Sequence, residues 1–154
     1  MEVAAARAIV NSVIRELRWA LQLQRWRIDL VFERLDAEKS PLNGRANSAH
    51  CLADPSYLRA TITIDAEAVE DGDDLLGLLL HELIHIGHAE FALYRRQVNE
   101  NLTETAASTI DLAYLNACEH NVMFVERLLR DGLGLDARRL IKQSKRHSEK
   151  ERAS

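Results

Sequence analysis

Leu75-Leu76-Gly77-Leu78-Leu79-Leu80-His81-Glu82-Leu83-Ile84-His85 is the stretch on which the reading of this chain turns. The leucine run predicts a helix buried around much of its girth. Asp71-Gly72-Asp73-Asp74 just upstream supplies an N-cap and negative charge for a helix starting near residue 74. On that helix His81 and His85 stand four residues apart on one face, so both imidazoles can point at a single metal ion. Glu82 is rotated away from the pair, and its carboxylate can reach a water on the ion rather than the ion itself. The same HExxH pentapeptide also occurs by chance in amphipathic helices, as two solvent-facing histidines and a surface glutamate. The leucines before it and the apolar Leu83 and Ile84 within it argue otherwise. Histidines in such a helix are buried and need polar partners, and one metal serves both.

The chain has 154 residues, enough for one domain with a single core. Its 47% hydrophobic and 29% charged residues suit a soluble globular protein. No apolar stretch is long enough to cross a bilayer, and the N-terminus lacks the basic-then-apolar layout of a secretion signal. Cys51 and Cys118 are the only cysteines, far apart in sequence. Two buried free thiols are expected rather than a disulfide, and with them a cytoplasmic location. The net charge of −4 hides an asymmetry. From Arg138 onward there are seven Lys and Arg against two acids, and the remainder holds 13 basic and 22 acidic residues. Residues 138–154 are therefore read as a basic, flexible, solvated tail following a domain of residues 1–137. A nucleic-acid contact is the functional alternative for that tail, though no aromatic residue lies in it to stack on a base.

The patterning predicts an α+β fold. Over residues 2–24, Ile9, Val10, Val13, Ile14, Leu17, Ala20 and Leu21 recur at helical spacing. Trp26 to Glu33 alternates as a half-buried strand, with Trp26, Ile28, Leu30 and Phe32 on one face. Glu38 to Gly44 reads as a loop, and Arg45 to Ala53 as a weaker strand broken by Asp54-Pro55. Tyr57 to Asp65 alternates again, with Leu58, Ala60, Ile62 and Ile64 inward and Arg59, Thr61, Thr63 and Asp65 outward. Short loops between these strands imply a small, mainly antiparallel sheet of three or four strands, packed against the N-terminal helix, the HExxH helix and a late helix. That late helix is placed over roughly 98–131 and ended by Gly132 and Gly134. It is apolar nearly all round between Ile110 and Leu129, so it is expected to be sandwiched.

Helix, three strands, HExxH helix and late helix is an order that resembles a minimal zincin metallopeptidase of gluzincin type. More narrowly, the chain is similar to short metallopeptidases encoded by phages and prophages. The likeness lies in the tryptophan-led strand Trp26-Arg27-Ile28, the segment Tyr57 to Ile64, the His81-to-His85 helix and the late Val125-Glu126-Arg127-Leu128, and it spans roughly residues 20–130. Metzincins are excluded, because their third histidine would fall on Phe91. SprT-like proteases, which act on protein attached to DNA, are a neighbouring resemblance.

The resemblance implies one Zn2+ ion with three protein ligands, the third a late-helix glutamate. Glu119 is preferred for it. The stripe Leu112, Leu115, Glu119, Val122, Glu126, Leu129 places its carboxylate among apolar side chains, where an unpaired charge is expensive and a metal would relieve it. Pairing with an arginine or facing water would also satisfy it. His120 is the next candidate, then Glu104 and His88; one register of the comparison falls on Asn121 instead. The implied reaction is hydrolysis of a peptide bond in a protein or peptide substrate, with Glu82 as general base toward water on the metal. An edge strand would hold the substrate, and His50, His88, Tyr94 or Tyr114 would be the second donor to the carbonyl. A non-catalytic metal-binding or degenerate peptidase-fold interaction module, and a SprT-like protease recruited to nucleic acid through the basic tail, remain as alternatives.

Overall fold

A computed structural model describes residues 1–35 and 48–132. The expected loop at Glu38 to Gly44, Gly134 and the basic tail of residues 138–154 lie outside the described residues. The elements run α1 (Val3–Ala20), β1 (Arg27–Phe32), β2 (Ala49–Asp54), β3 (Arg59–Ile64), α2 (Gly72–Gly87), α3 (Ala89–Asn99) and α4 (Glu104–Arg127). A 3-10 turn at Ala66–Ala68 follows β3, and a π-helical turn at Leu128–Gly132 ends α4. The α+β architecture is the expected one.

In α1 the residues Ala6, Val10, Val13 and Leu17 recur at three- and four-residue steps and are buried, forming the stripe that packs on α2. The helix stops at Ala20 rather than at 24. Gln22 adopts a left-handed φ of 57°, which no helix continues through. The Arg18 guanidinium then ties the following turn together, donating from Nη2 to the carbonyls of Trp26 at 2.6 Å and Gln24 at 3.2 Å.

Among the described residues the sheet has three strands in the order β1-β3-β2, and it is mixed rather than mainly antiparallel. β2 and β3 form a hairpin, with Cys51 opposite Ile62 and Ala53 opposite Ala60. β1 adds to the far side of β3, running parallel to it with Leu30 opposite Ile62. Phe32 at the end of β1 and Ala49 at the start of β2 both flank Ile64, so the chain leaves β1 and enters β2 at the same end of the sheet. β3 is therefore central, and Ala60, Ile62 and Ile64 are buried as expected. Thr63 and Asp65, expected to face outward, are buried too. Thr63 lies between Val31 and His50 in neighbouring strands. The Asp65 carboxylate accepts from the backbone N–H of Glu67 at 3.0 Å and of Leu35 at 3.2 Å, which explains a buried acid at the strand end.

α2 is the hub. It begins at Gly72 with Asp71 as N-cap, whose Oδ1 accepts from the N–H of Asp73 and of Asp74, each at 2.9 Å. Leu75, Leu76, Leu79, Leu80, Leu83, Ile84 and Ile86 are all buried, against α1, the sheet and α4.

Two features of the second half differ from expectation. Residues 89–99 form a separate helix, α3, and the late helix starts only at Glu104, capped by the Thr103 hydroxyl. α4 is also not sandwiched. Val122 is its one fully buried residue, whereas Leu112 is 53% and Phe124 64% exposed. It lies over α2 with one face only, and its opposite apolar side chains are uncovered among the described residues. For Asp71→Ala we expect a loss of about 0.5–2 kcal/mol of stability, read as a lower unfolding midpoint, because two amide donors lose their acceptor.

Candidate metal centre

His81 and His85 project from α2 toward α4 and the edge strand β2, the ring centroids 4.9 Å apart and the planes at 66°. Their positions follow from the helix: the leucines occupy the sides that face α1 and the sheet, and the histidine pair falls on the side that α4 covers. From α4 the Glu119 carboxylate reaches both rings. Its Oε2 lies 3.4 Å from Nε2 of His81, and its Oε1 lies 3.3 Å from Nε2 of His85. The two Nε2 atoms are 3.1 Å apart.

With one ligand atom taken from each residue, the three groups lie within 4.8 Å of one another. A tetrahedral ion with bonds of about 2.0–2.1 Å sets its ligand atoms about 3.3–3.4 Å apart. Two imidazoles and a carboxylate are also a donor set suited to such an ion. The residues therefore fit a metal, and His81, His85 and Glu119 are a group that can hold one. Among the described residues no further Cys, His, Asp or Glu joins that group.

No family model, curated protein or solved structure matches this chain. What the site can do is therefore argued from its own chemistry.

Burial opposes a charged ring at His81, but hydrogen bonds to Glu119 and Glu126 outweigh it and raise its pKa to about 10. The same hydrogen bonds from His81 and His85 hold the Glu119 carboxyl far below the usual carboxylate range, against the effect of burial. Glu82, beside the pair but outside the group that can hold an ion, is only 6% exposed. Burial lifts its pKa, Glu119 adds to the rise, and the two histidines oppose it.

The centre opens on a cleft of about 800 Å³. One wall is β2, the other α4 with Leu115 and Met123, and α2 forms the floor. Successive residues from Ser48 to Ala53 all border the cleft, odd and even positions alike, so it is the edge of the strand that faces it.

The remaining candidates are placed differently. His120 is exposed and outside the group, a third of a turn from Glu119, and Glu104 is exposed at the start of α4. His88 is a corner post rather than a ligand. Its Nδ1 faces the Ile84 carbonyl at 3.2 Å, its Nε2 is 2.9 Å from the Asn121 amide, and its own carbonyl accepts from the Tyr114 hydroxyl at 3.4 Å. His50 borders the cleft from β2, as does Tyr114 from α4, and Tyr94 is exposed away from it. Cys51 and Cys118 are free and half-buried, and both line the cleft. Burial, with Glu82 adding to it, pushes the Cys51 thiol up to about 12.

The residue without a role in the sequence reading is Glu126, which contacts His81 from the other side at 3.5 Å. Its signal is in the sequence, two helical turns after Glu119 on the same stripe. We expect Glu119→Ala to weaken binding of a divalent metal at least tenfold in a chelator competition, while His120→Ala and Glu104→Ala bind as the parent does. Equal loss in the His120 variant would remove Glu119 from its place in the group.

Proposed function

We propose that this protein is a zinc-dependent metallopeptidase of the zincin kind, acting on protein or peptide substrates. The observation that carries the reading is the gathering of His81, His85 and Glu119, two imidazoles and a carboxylate within reach of one ion, on a cleft that also holds a buried glutamate. Zinc bound there would lower the pKa of water toward neutrality and polarise a scissile carbonyl.

The chain supplies the rest. The carboxylate of Glu82 takes the proton from the attacking water and delivers it to the nitrogen of the departing amine. Burial that raises its pKa suits it to carrying a proton near neutral pH. The edge of β2 not paired with β3 offers main-chain donors and acceptors to an extended peptide, which would lie between β2 and α4 across the metal site. His50 on β2 and Tyr114 on α4 border the cleft and are our candidates to meet the carbonyl oxygen. A set of three ligands among the described residues is the number a catalytic zinc takes, whereas a structural zinc is usually closed by four. No helix among the described residues is long and apolar enough to cross a membrane. Free Cys51 and Cys118 fit a reducing cytoplasm.

The test is cleavage of a mixed peptide library by the zinc-loaded protein, followed by mass spectrometry. Glu82→Gln is expected to retain zinc and lose about 10²–10⁴-fold in rate. Cleavage that persists undiminished in Glu82→Gln, or after removal of the metal, would refute the proposal.

A further inference from the structure

We propose that Glu126 is a positioning residue for the metal centre, and that Arg130 fixes it across the bare Cα of Gly77. This rests on the metal reading given above. His81 presents its two ring nitrogens to two different carboxylates. Nε2 lies 3.4 Å from Oε2 of Glu119, and Nδ1, on the opposite side of the ring, lies 3.5 Å from Oε2 of Glu126. An imidazole that gives one nitrogen to a metal is held in its tautomer and its plane by what the other nitrogen meets. Glu126 is the group at that other nitrogen. It is not itself within the group that can hold the ion.

The carboxylate is in turn oriented. Its Oε1 accepts from Nη1 of Arg130 at 3.1 Å, four residues on, in the π-helical turn that ends α4. The two oxygens of Glu126 thus serve two partners, the guanidinium on one side and the ligand imidazole on the other. A charged donor on one oxygen restricts rotation of the group and offsets its charge.

Gly77 is the third part. It is buried inside α2, one turn before His81. Its backbone is helical and needs no glycine, and glycine is a poor residue for a helix interior. What it provides is space. A Cβ at this position would stand 3.0 Å from Nη1 of Arg130 and 3.4 Å from Oε1 of Glu126. The ion pair lies directly on the helix that carries both histidines, and a methyl group would make it shift by a few tenths of an ångström. A single glycine in the leucine run thereby lets α4 seat a carboxylate against His81.

The test uses the full chain and zinc alone. Zinc affinity is measured by chelator competition for the parent, Glu126→Ala, Glu126→Gln and Gly77→Ala, with the visible spectrum of the Co(II) form and the unfolding midpoint of the metal-free protein alongside. Glu126→Ala is expected to weaken zinc binding about 10–100-fold and to shift the Co(II) bands. Glu126→Gln keeps an oxygen acceptor and recovers part of that loss. Gly77→Ala leaves every ligand intact, yet is expected to weaken binding and shift the bands in the same sense. Parent-like affinity and spectra in Glu126→Ala and Gly77→Ala would overturn the inference while leaving the metal centre standing. Weakening matched in all three variants by a fall in metal-free stability would assign Glu126 to the fold and overturn it as well. A parent that takes up no zinc, or whose uptake is indifferent to His81→Ala, would bring down the metal reading itself.

Discussion

The fold depends on keeping α2 out of water. Leu75, Leu79, Leu80 and Leu83 are each at most 1% exposed, and each buried leucine contributes about 1.5–3 kcal/mol. A helix that apolar must be covered from several directions, and α1, the β2–β3 hairpin and α4 do so. The cover is thinnest toward α4, where only Val122 and Leu129 are buried. His81, Glu82 and His85 occur where α2 turns toward that thin side. The cleft thus lies where three covering elements fail to close completely over one hydrophobic rod.

Charge at that opening is distributed unevenly. Glu82, Glu119 and Glu126 converge on two imidazoles, and of the cations Arg130 is committed to Glu126. Two unit charges 4 Å apart interact by about 4 kcal/mol at an effective dielectric constant of 20, so such a gathering of carboxylates calls for positive charge between them. The environments also drive the acids in opposite directions. Hydrogen bonds from the histidines keep Glu119 ionised, as a ligand has to be, and burial makes Glu82 easier to protonate. A pair of carboxyl groups held apart in this way is how one site accommodates a fixed anion and a mobile proton at the same pH.

How much of this was legible in the sequence depended on how local the cause is. The Asp71 cap, the α1 stripe and the four-residue step from His81 to His85 are written within one or two helical turns, and each appears as read. Glu119 could be singled out because a carboxylate in an apolar stripe needs a reason, although the stripe alone could not rank it above an arginine partner. α3 escaped because Ala89 is its only buried residue, so no apolar period marks it. The parallel pairing of β1 with β3 depends on which side of the hairpin receives a third strand, a tertiary choice that alternation does not encode. Thr63 and Asp65 look like outward residues until their strand proves central and the acid finds two backbone donors. The exposure of Leu112 and Phe124 is a further case, because an apolar helix reads alike whether or not something covers its outer face.

The one-sided packing of α4 ties its docking to the site. It contributes few buried side chains to the core, yet it carries Glu119 and Glu126, the carboxylates that meet His81. Hydrophobic burial alone therefore holds this helix less firmly than it holds α1, whose stripe of four is fully covered. A cation shared between His81 and His85 on one helix and Glu119 on the other would join the two elements directly. Because an ion that binds only the assembled arrangement stabilises that arrangement, the free energy of coordination would act where packing is weakest. The sparse apolar contact along α4 and the dense set of polar groups at its crossing with α2 are thus two sides of one design. With an ion bound, the helix that closes the cleft would be held by what gathers in the cleft as well as by the core beneath it.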